Sequence, residues 1–564
     1  NMIYYIDPVN GLDTNNGTKP STPFKSFAPL KYNDTYPDRR VLHFGDTIAL
    51  KKGTVIYDTF QPFLGIVNGD ETVRPPVILT SYGSGDKPKL SNAKIIKSDG
   101  FTLHSANIWK IDLSNDTYFD GYLVKDSKGY DVGFLYDDET DTLYGERKFS
   151  LEELTTKGQF YCDSNTLYVY GTESPFNFIN KIIVNNSYDA LLTPVNNMTI
   201  CDIEFTECGG HGVKTNIDNG YHHINVFNCR FKNIGGSIWN GNTRMGNGVE
   251  IFGSAHDIEV FSNEFINVYD TATTTQGNDS VYRNIHFHHN LIKECTNAFE
   301  VWCDNNTGSH GIGYDGVHFE NNIVLNGGKG FGGGRSNSMD NIIGQGGTCD
   351  LKKIVVRDNI YAFPAVKVFQ DNTNIGVIKN NRIYGTSDTK LDSVHTINDI
   401  DNYINAMNNH KNTKTQVINQ NNSLELLTVL TALNIEMSLL LAEGKGVIPS
   451  NHETIDSFDL FFTGGTGIVI KAEYLGNGFC ELWFIFTPST TINAWTTFVH
   501  SNDYRARPHD TQIALSPLYV DSENVLNVFR YESKAYQGFY GQSNLDMNPG
   551  TAYTFHGIFK TAHA

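Results

Sequence analysis

A glutamate and a tryptophan occupy the positions of a short predicted strand that alternate with its apolar residues. The segment NAFEVWCD covers residues 297–304, and its apolar residues include Phe299 and Val301. They alternate with Glu300 and Trp302, which is the two-residue period of a half-buried β-strand. A carboxylate can transfer protons, and an indole offers a flat apolar face on which a sugar ring can stack. Glu300 and Trp302 are therefore candidate site residues.

Segments of the same kind recur along the middle of the chain. They are HGVKTN (211–216), NGVEIF (247–252), TATTTQ (271–276), NAFEVW (297–302), KGFGGG (329–334) and PAVKVF (364–369). Alignment on their small residue predicts that the inward side chains are those of Val213, Val249, Thr273, Phe299, Phe331 and Val366. Two outer columns would then contain Lys214, Glu250, Thr274, Glu300, Gly332 and Lys367, and Asn216, Phe252, Gln276, Trp302, Gly334 and Phe369. Glu250 thereby joins Glu300 in one column.

The spacing of these two glutamates suits the hydrolysis of a glycosidic bond. Neighbouring strands lie about 4.8 Å apart, so Glu250 and Glu300, two strands apart, would be separated by roughly 10 Å at the backbone. Inverting glycosidases hold their two carboxyl groups roughly 6.5–9.5 Å apart, which leaves room for a water molecule. Phe252 and Trp302 would stack on sugar rings, and Gly332 and Gly334 would leave space for the sugar chain. Arg335 could bind carboxylates or hydroxyls of the substrate. The alternative is that the glutamates only keep an exposed face soluble.

Other residues near this strand are weaker candidates. Asp270 and Asp304 could replace one glutamate as acid or base, or could be ordinary turn aspartates. His211 could be a catalyst or a corner residue, and Lys214, Gln276 and Tyr269 could bind the substrate. His286 and His288 share one face of a strand, so they point together to a metal ion or, as we expect, to solvent. We expect no metal and no cofactor in the active site.

A repeat in the same region predicts the fold. It reads MTICDIEF (198–205), INVFNCRF (224–231), IEVFSNEF (258–265), IHFHHNLI (285–292), VHFENNIV (317–324), IVVRDNIY (354–361) and, more weakly, GVIKNNRI (376–383). The local pattern is constant although the spacing varies, which indicates stacked coils joined by loops of different length. The sixth position holds Asn263, Asn290, Asn322, Asn359 and Asn381, which can form a hydrogen-bonded ladder. The sequence therefore predicts a right-handed parallel β-helix.

Composition excludes several kinds of partner. The net charge is −19 without any basic run, so nucleic acid and anionic membranes are poor partners. The chain contains no apolar stretch long enough to span a bilayer, and no signal peptide opens it. The eight cysteines show no CxxC pair and no metal-binding spacing, which indicates folding in a reducing cell.

The first third of the chain resembles the opening of carbohydrate-active β-helix proteins. The segments are YYIDPVNGLDTNNGTKPSTPFKSF (4–27), FGDTIALKKGTVI (44–56) and SYGSGDKPKLS (81–91). With the asparagine repeat, the whole chain resembles bacteriophage tailspike depolymerases, although the opening is shared with pectate-lyase-like enzymes. The resemblance implies a homotrimer in the virion tail, folded in the host cytoplasm, that degrades capsular or O-antigen polysaccharide on a bacterial surface.

The ends of the chain add further expectations. Asn1 stands before Met2, and the usual N-terminal particle-binding domain has no counterpart here. We therefore expect attachment to the phage tail or baseplate through a segment that is missing from this sequence, or in a different way.

Changes in composition predict the domains. They are the N-terminal cap and first coils (1–100), early coils with an inserted β subdomain (101–195), central repeats with the active groove (196–415), a helical connector (416–445) and a C-terminal β-sandwich for trimerisation or sugar binding (446–564). The connector has the heptad spacing of a coiled coil at Leu426, Leu430 and Leu433, but a single helix packed on the β-helix is equally compatible. Trp483 and Trp495 could be core residues or sugar platforms.

Three functions stay open from the sequence. The first is an endo-acting glycoside hydrolase with Glu250 and Glu300 as its acid and base. The second is a polysaccharide lyase, which would recruit groups from the set Lys214, Lys367, His211, Tyr269 and Arg335. The third is a receptor-binding spike that holds sugar without cutting it. The hydrolase is the leading hypothesis, because two glutamates share one column beside aromatic residues and a glycine gap.

Overall fold

The chain forms two units, residues 1–437 and 438–564, which are described separately. The computed structural model describes residues 2–32, 36–37, 39–64, 71–121, 130–185, 190–216, 220–304, 313–333, 341–406 and 414–417, and then 456–457, 461–462, 465–475, 479–491, 497–500, 512–520, 523–534, 537–543 and 553–560. In these residues no helix is long and apolar enough to cross a membrane.

Three long parallel sheets make up the body of the first unit. Sheet A contains Ile3–Ile6, Thr47–Lys51, Val77–Tyr82, Met198–Cys201, Tyr221–Phe227, Ala255–Phe261, Val281–His288, Gly313–Glu320, Ile354–Arg357 and Val377–Lys379. Sheet B contains Val55–Tyr57, Lys89–Ser91, Glu204–Cys208, Arg230–Ile234, Glu264–Val268, Leu291–Lys293, Ile323–Leu325, Ile360–Ala362, Arg382–Gly385 and Lys414–Val417. Sheet C contains Ala190–Leu192, His211–Lys214, Val249–Phe252, Thr271–Gln276, Asn297–Cys303, Asn341–Gly347 and Lys367–Phe369. Each central coil visits A, B and C in turn, which is the strand order of a parallel β-helix.

The register of the predicted repeat is confirmed. Met198 pairs with Ile224, and the ladder continues through Ile258, Ile285 and later repeats, so the repeat starts lie one above another in sheet A. Side chains alternate across a strand, and every second residue therefore enters the interior. The rings of Phe205, Phe231 and Phe265 stack there with centroids 4.8–5.0 Å apart. The interior is a continuous hydrophobic core.

The asparagine ladder is also confirmed. All five predicted asparagines are fully buried. Asn290 shows the repeating geometry: its Nδ2 donates to Asn322 Oδ1 at 3.0 Å and to the carbonyl of Val260 at 2.9 Å. Its Oδ1 accepts from Nδ2 and the backbone N–H of Asn263. The ladder satisfies buried backbone groups at the corner between sheets A and B, where they would otherwise be costly.

An antiparallel insertion lies beside the early coils. One sheet has five strands, Thr142–Tyr144, Asp131–Asp137, Lys181–Asn185, Ala93–Ile96 and Phe119–Gly121, and another has four, Phe160–Asp163, Thr166–Tyr170, Ile108–Asp112 and Thr102–Ser105. They enclose a second hydrophobic core that includes Phe119, Leu135 and Phe160. A two-stranded hairpin, Ile238–Asn240 with Thr243–Arg244, stands between two central coils. This hairpin contributes to the candidate site.

Among the described residues of the first unit, the helices are short. Four 3-10 turns lie at Ala28–Leu30, Asp116–Tyr118, Pro175–Asn177 and Ile397–Asp399. The last continues into the α-helix Ile400–Ala406.

Two of the predicted sheet C segments were wrong. The described part of KGFGGG, residues 329–333, forms a turn instead of a strand, and Phe331 packs outside the β-helix, with its ring centroid 5.3 Å from that of Phe134. The strand that follows Glu300 is Asn341–Gly347, so Gly344 takes the place predicted for Gly332.

The second wrong segment is PAVKVF, which is shifted in register. Phe369 pairs with inward-facing Ile343 and is fully buried, so it does not extend the outer column. Lys367 pairs with Asn341 and binds Asp371 at 3.0 Å. It therefore lies outside the column of Glu300.

The described residues of the second unit form one hydrogen-bonded antiparallel sheet of nine strands. In sheet order these are Asp456–Ser457, Gly465–Leu475, Phe479–Pro488, Tyr553–Lys560, Gln512–Val520, Glu523–Lys534, Gln537–Ser543, Thr497–His500 and Phe461–Phe462. The β-sandwich stays a prediction. The predicted coiled-coil segment and Trp495 lie outside the described residues.

Candidate functional site

A cavity of about 680 Å³ opens on the outer face of sheet C. Its lining residues are His211, Lys214, Trp239, Thr243, Arg244, Met245, Asn247, Glu250, Phe252, Asp270, Gln276, Gly277, Asn278, Glu300, Trp302, Gln345, Gly346 and Gln370. This volume lies within the range of small-molecule sites. Eight of the residues proposed from the sequence meet here: His211, Lys214, Glu250, Phe252, Asp270, Gln276, Glu300 and Trp302.

Strand register explains why these residues meet. Lys214 pairs with Glu250, and Glu250 pairs with Thr274, which in turn pairs with Glu300. The two glutamates are thus two coils apart on one face, a backbone separation of roughly 10 Å. The predicted column is confirmed as far as Glu300. Both glutamates are nevertheless largely buried, since Glu250 is 1% and Glu300 is 9% exposed.

The Glu250 carboxylate is held by three neighbours. His211 Nδ1 lies 2.7 Å from Oε2, the Asn247 amide donates to the same oxygen at 3.0 Å, and Gln276 Nε2 donates to Oε1 at 2.8 Å. Burial raises the pKa of Glu250, but the interactions of its carboxylate with His211, Lys214 and Asn247 outweigh this and lower the pKa to about 2. Glu250 is therefore a carboxylate at neutral pH and cannot serve as the proton donor.

The depressed pKa of Glu250 predicts a pH-dependent stability. Its contribution is fully present above the ordinary pKa of 4.5 and is lost as the pH falls through about 2. This amounts to about 3 kcal/mol of unfolding free energy. Between pH 6 and pH 3, guanidinium unfolding should show a smaller loss for Glu250→Gln than for the unmodified chain. Equal losses in the two proteins would contradict this prediction, because every other carboxyl group is common to both.

Glu300 has a different environment from Glu250. The hydroxyl of Thr271 donates to Glu300 Oε2 at 3.4 Å. Between the glutamates, Thr274 is fully buried, and its hydroxyl has no hydrogen-bond partner among the described residues. The site therefore contains two carboxyl groups in different surroundings. Glu250 is an anion held by His211, Asn247 and Gln276, whereas Glu300 accepts a hydrogen bond from Thr271.

Exposed tryptophans flank the carboxylates. Trp239 in the first strand of the hairpin is 70% exposed and Trp302 is 38% exposed, and both line the cavity. The indole of Trp302 lies across Gly346 of the next coil, where an added Cβ would be 1.8 Å from Trp302 Cδ1. Only glycine leaves this room. Wide apolar faces beside polar groups suit the faces and hydroxyls of a sugar.

The Gly346 contact predicts the effect of a methyl group. Gly346→Ala should displace the Trp302 indole, altering its fluorescence and weakening saccharide binding about tenfold, equivalent to about 1.4 kcal/mol. In a Trp302→Ala background, the same change should have little further effect on binding. Gly145→Ala is a matched control, since its nearest contact would be an ordinary 3.4 Å. Additive losses in the double variant would contradict the proposed contact.

The hairpin that forms one wall was not predicted. Arg244 donates Nη2 to the carbonyl of Gly133 in the insertion at 2.7 Å, and its guanidinium lies 4.5 Å from the Tyr269 ring centroid. The backbone N–H of Ile238 also donates to Asp131. The insertion thus holds this wall, which supplies Trp239, Thr243, Arg244 and Met245. Asn247, Gln345, Gly346 and Gln370 were also missed. A short WNGN turn was the available signal for the hairpin.

The remaining predicted residues have varied positions. Lys214 Nζ lies 4.7 Å from the Phe252 ring centroid, within the cavity wall. Tyr269 is buried behind Arg244, and neither it nor Asp304 belongs to the cavity lining. Arg335 lies outside the described residues.

The expectation for the two histidines of sheet A was wrong. His286 and His288 are both buried, not solvent-facing. His286 contacts Glu320 at 3.3 Å, and His288 contacts Glu259 at 2.8 Å.

No protein-family model matches the chain, and no curated protein matches it. Solved structures similar to it include a GH136 lacto-N-biosidase from Eubacterium ramulus (11% identity, 74% of this chain and 68% of that one, TM-score 0.40). An alginate lyase from Paenibacillus sp. str. FPU-7 shares 12% identity over 66% of this chain and 89% of its own, with a TM-score of 0.31. A tailspike protein of E. coli bacteriophage HK620, in complex with a pentasaccharide, shares 10% identity over 93% and 82%, with a TM-score of 0.26. At these scores the similarities carry no argument about activity.

Proposed function

We propose that this chain is an endo-acting glycoside hydrolase that cleaves a polysaccharide. The observation that supports this most is the single cavity in which Glu250 and Glu300 lie two coils apart, with Trp239 and Trp302 in its walls. We further propose, from the resemblance of the whole chain to tailspike depolymerases, a homotrimeric phage tailspike acting on bacterial capsular or O-antigen polysaccharide.

The two carboxyl groups have distinct proposed roles. Glu250, anionic at neutral pH, is the general base that activates water. Glu300 is the general acid that protonates the departing oxygen, and Asp270, which also lines the cavity, is the alternative acid. Trp302 and Trp239 hold sugar rings. A backbone separation of roughly 10 Å leaves space for water between the carboxyl groups, so we expect inversion at the anomeric carbon.

Digestion of a panel of purified capsular and O-antigen polysaccharides tests this function. We expect short oligosaccharides with new reducing ends on one member of the panel, and an inverted anomer in the first product seen by ¹H NMR. Tight binding without fragments would instead support a non-enzymatic receptor-binding spike. Retention of the anomeric configuration would reject the roles proposed for Glu250 and Glu300, but it would still be compatible with hydrolysis.

A polysaccharide lyase is the second candidate, favoured by cations in the same cavity. Lys214 and Arg244 line it and could hold a uronate carboxylate, while His211, which also lines it, removes the neighbouring proton in its neutral form. In this reaction the C–H electrons form a C=C bond as the glycosidic oxygen leaves with its bonding electrons. No water is consumed. Products with the ultraviolet absorbance of an unsaturated sugar would select the lyase, and new reducing ends without that absorbance would select the hydrolase.

A further inference from the structure

Three metal-ligating side chains converge on the outer face of sheet A, away from the cavity on sheet C. His286 pairs directly with His318 in the adjacent strand, and their rings stack with centroids 4.3 Å apart. Glu320 lies two residues beyond His318 and therefore on the same face. His286 and Glu320 are buried, whereas the His318 side chain is 21% exposed.

The donor atoms have the spacing of a coordination shell. His286 Nδ1 is 3.3 Å from Glu320 Oε1, and His318 Nδ1 is 3.6 Å from Glu320 Oε2. The three residues bring one ligand atom each to within 4.8 Å of the others. Metal–ligand bonds of about 2.0–2.2 Å in a tetrahedron place neighbouring donor atoms roughly 3.3–3.6 Å apart. His286 Nδ1 and Glu320 Oε1 match this separation, and His318 Nδ1 lies at a similar distance from the second oxygen of the same carboxylate.

The hydrogen bonds orient His286 for this role. Asn284 donates its amide to Asp257, so its Oδ1 faces His286 Nε2, 3.1 Å away. Nε2 then carries the proton, and in the neutral ring Nδ1 presents a lone pair to Glu320. A ligating histidine commonly donates its other N–H to an oxygen in this way.

The other two groups complete the same pattern. His318 Nδ1 is buried and has no hydrogen-bond partner among the described residues. Arg357 Nε donates to Glu320 Oε2 at 2.6 Å, which leaves Oε1 for a cation. The Nδ1 lone pairs of His286 and His318 and the carboxylate of Glu320 therefore face each other.

We propose that His286, His318 and Glu320 form a binding site for a divalent transition-metal ion such as zinc. The ion would join two consecutive coils through the strands Val281–His288 and Gly313–Glu320. Its proposed role is structural. Two imidazoles and one carboxylate are a donor set that zinc accepts.

Zinc titration of the chelator-treated full chain tests the site. Equilibrium dialysis with elemental analysis should show one equivalent of bound zinc per chain that is lost in His318→Ala. Zinc should also raise the melting temperature of the unmodified chain but not of this variant. Glu320→Gln, which keeps the shape of the side chain, serves as the second variant and should weaken binding at least tenfold.

A second histidine group provides the control. His223, His256 and Asp257 also lie within ligand distance of one another on the same sheet. His223→Ala should leave the His318-dependent equivalent in place. The proposal is overturned if the unmodified chain binds no zinc, or if His318→Ala and Glu320→Gln retain every equivalent. A protonated His286 in a simple ion pair with Glu320 would produce the first of these results.

Discussion

Glu300→Gln should lower the rate of polysaccharide cleavage about a thousandfold while leaving saccharide affinity within about threefold. General acid catalysis contributes 10²–10⁴ to a rate, and the amide keeps the shape of the side chain but cannot donate the required proton. Comparison of initial rates of reducing-end formation with equilibrium binding of the same polysaccharide measures both quantities. A fall in kcat with little change in affinity identifies a group that acts in the transition state.

Glu264→Gln is the matched control for this variant. Glu264 lies on sheet B, where it pairs with Arg230, and it does not line the cavity. Its replacement should leave the cleavage rate unchanged. Glu250→Gln should also lose activity, but it breaks a buried contact with His211, so its fold must be verified by circular dichroism. Full activity in both Glu250→Gln and Glu300→Gln would place the chemistry elsewhere.

Asn290→Ala should reduce the free energy of unfolding by about 3–5 kcal/mol. The substitution leaves the backbone N–H and the amide of Asn263 without their acceptor, and the carbonyl of Val260 without its donor. Each buried group left unpaired costs about 1–3 kcal/mol. Guanidinium unfolding followed by far-ultraviolet circular dichroism gives the difference.

Asn225→Ala separates a ladder effect from the general loss of an asparagine. Asn225 lies in the sheet A strand Tyr221–Phe227, but it is only half-buried and is outside the ladder. Its replacement should change stability by no more than about 0.5 kcal/mol. A loss for Asn290→Ala that is no larger than for Asn225→Ala would show that the ladder contributes little.

The repeat made much of the β-helix predictable. Local alternation gives the inward face, and the recurring asparagine marks one corner of each coil, so the pairing of Met198 with Ile224 could be inferred without coordinates. The same register placed Glu250 and Glu300 in one column. Such inference works because consecutive coils use the same physical pattern.

The pattern failed where glycine replaced the alternating side chains. KGFGGG and NIIGQGG are both glycine-rich, and only the second forms the strand that pairs with Glu300. Glycine has no side chain that indicates an inward or outward face, so alignment selected the wrong segment. The glycine gap beside Trp302 nevertheless exists, at Gly346 instead of Gly334.

The cavity wall formed by the hairpin could not be predicted, for a different reason. Arg244 holds the hairpin to Gly133, which is 111 residues away in the chain. No local period reports a contact of that kind. The burial of Glu250 and the exposed position of Trp239 both depend on tertiary packing.

The most direct measurement is a crystal structure of Glu300→Gln with an oligosaccharide of the cleaved polysaccharide. We predict a sugar ring stacked on Trp302, with the scissile oxygen within hydrogen-bond distance of residue 300 and a water molecule between the sugar and Glu250. An oligosaccharide bound on another face of the protein, or one whose scissile bond lies far from both residues, would contradict the assignment of this cavity as the active site.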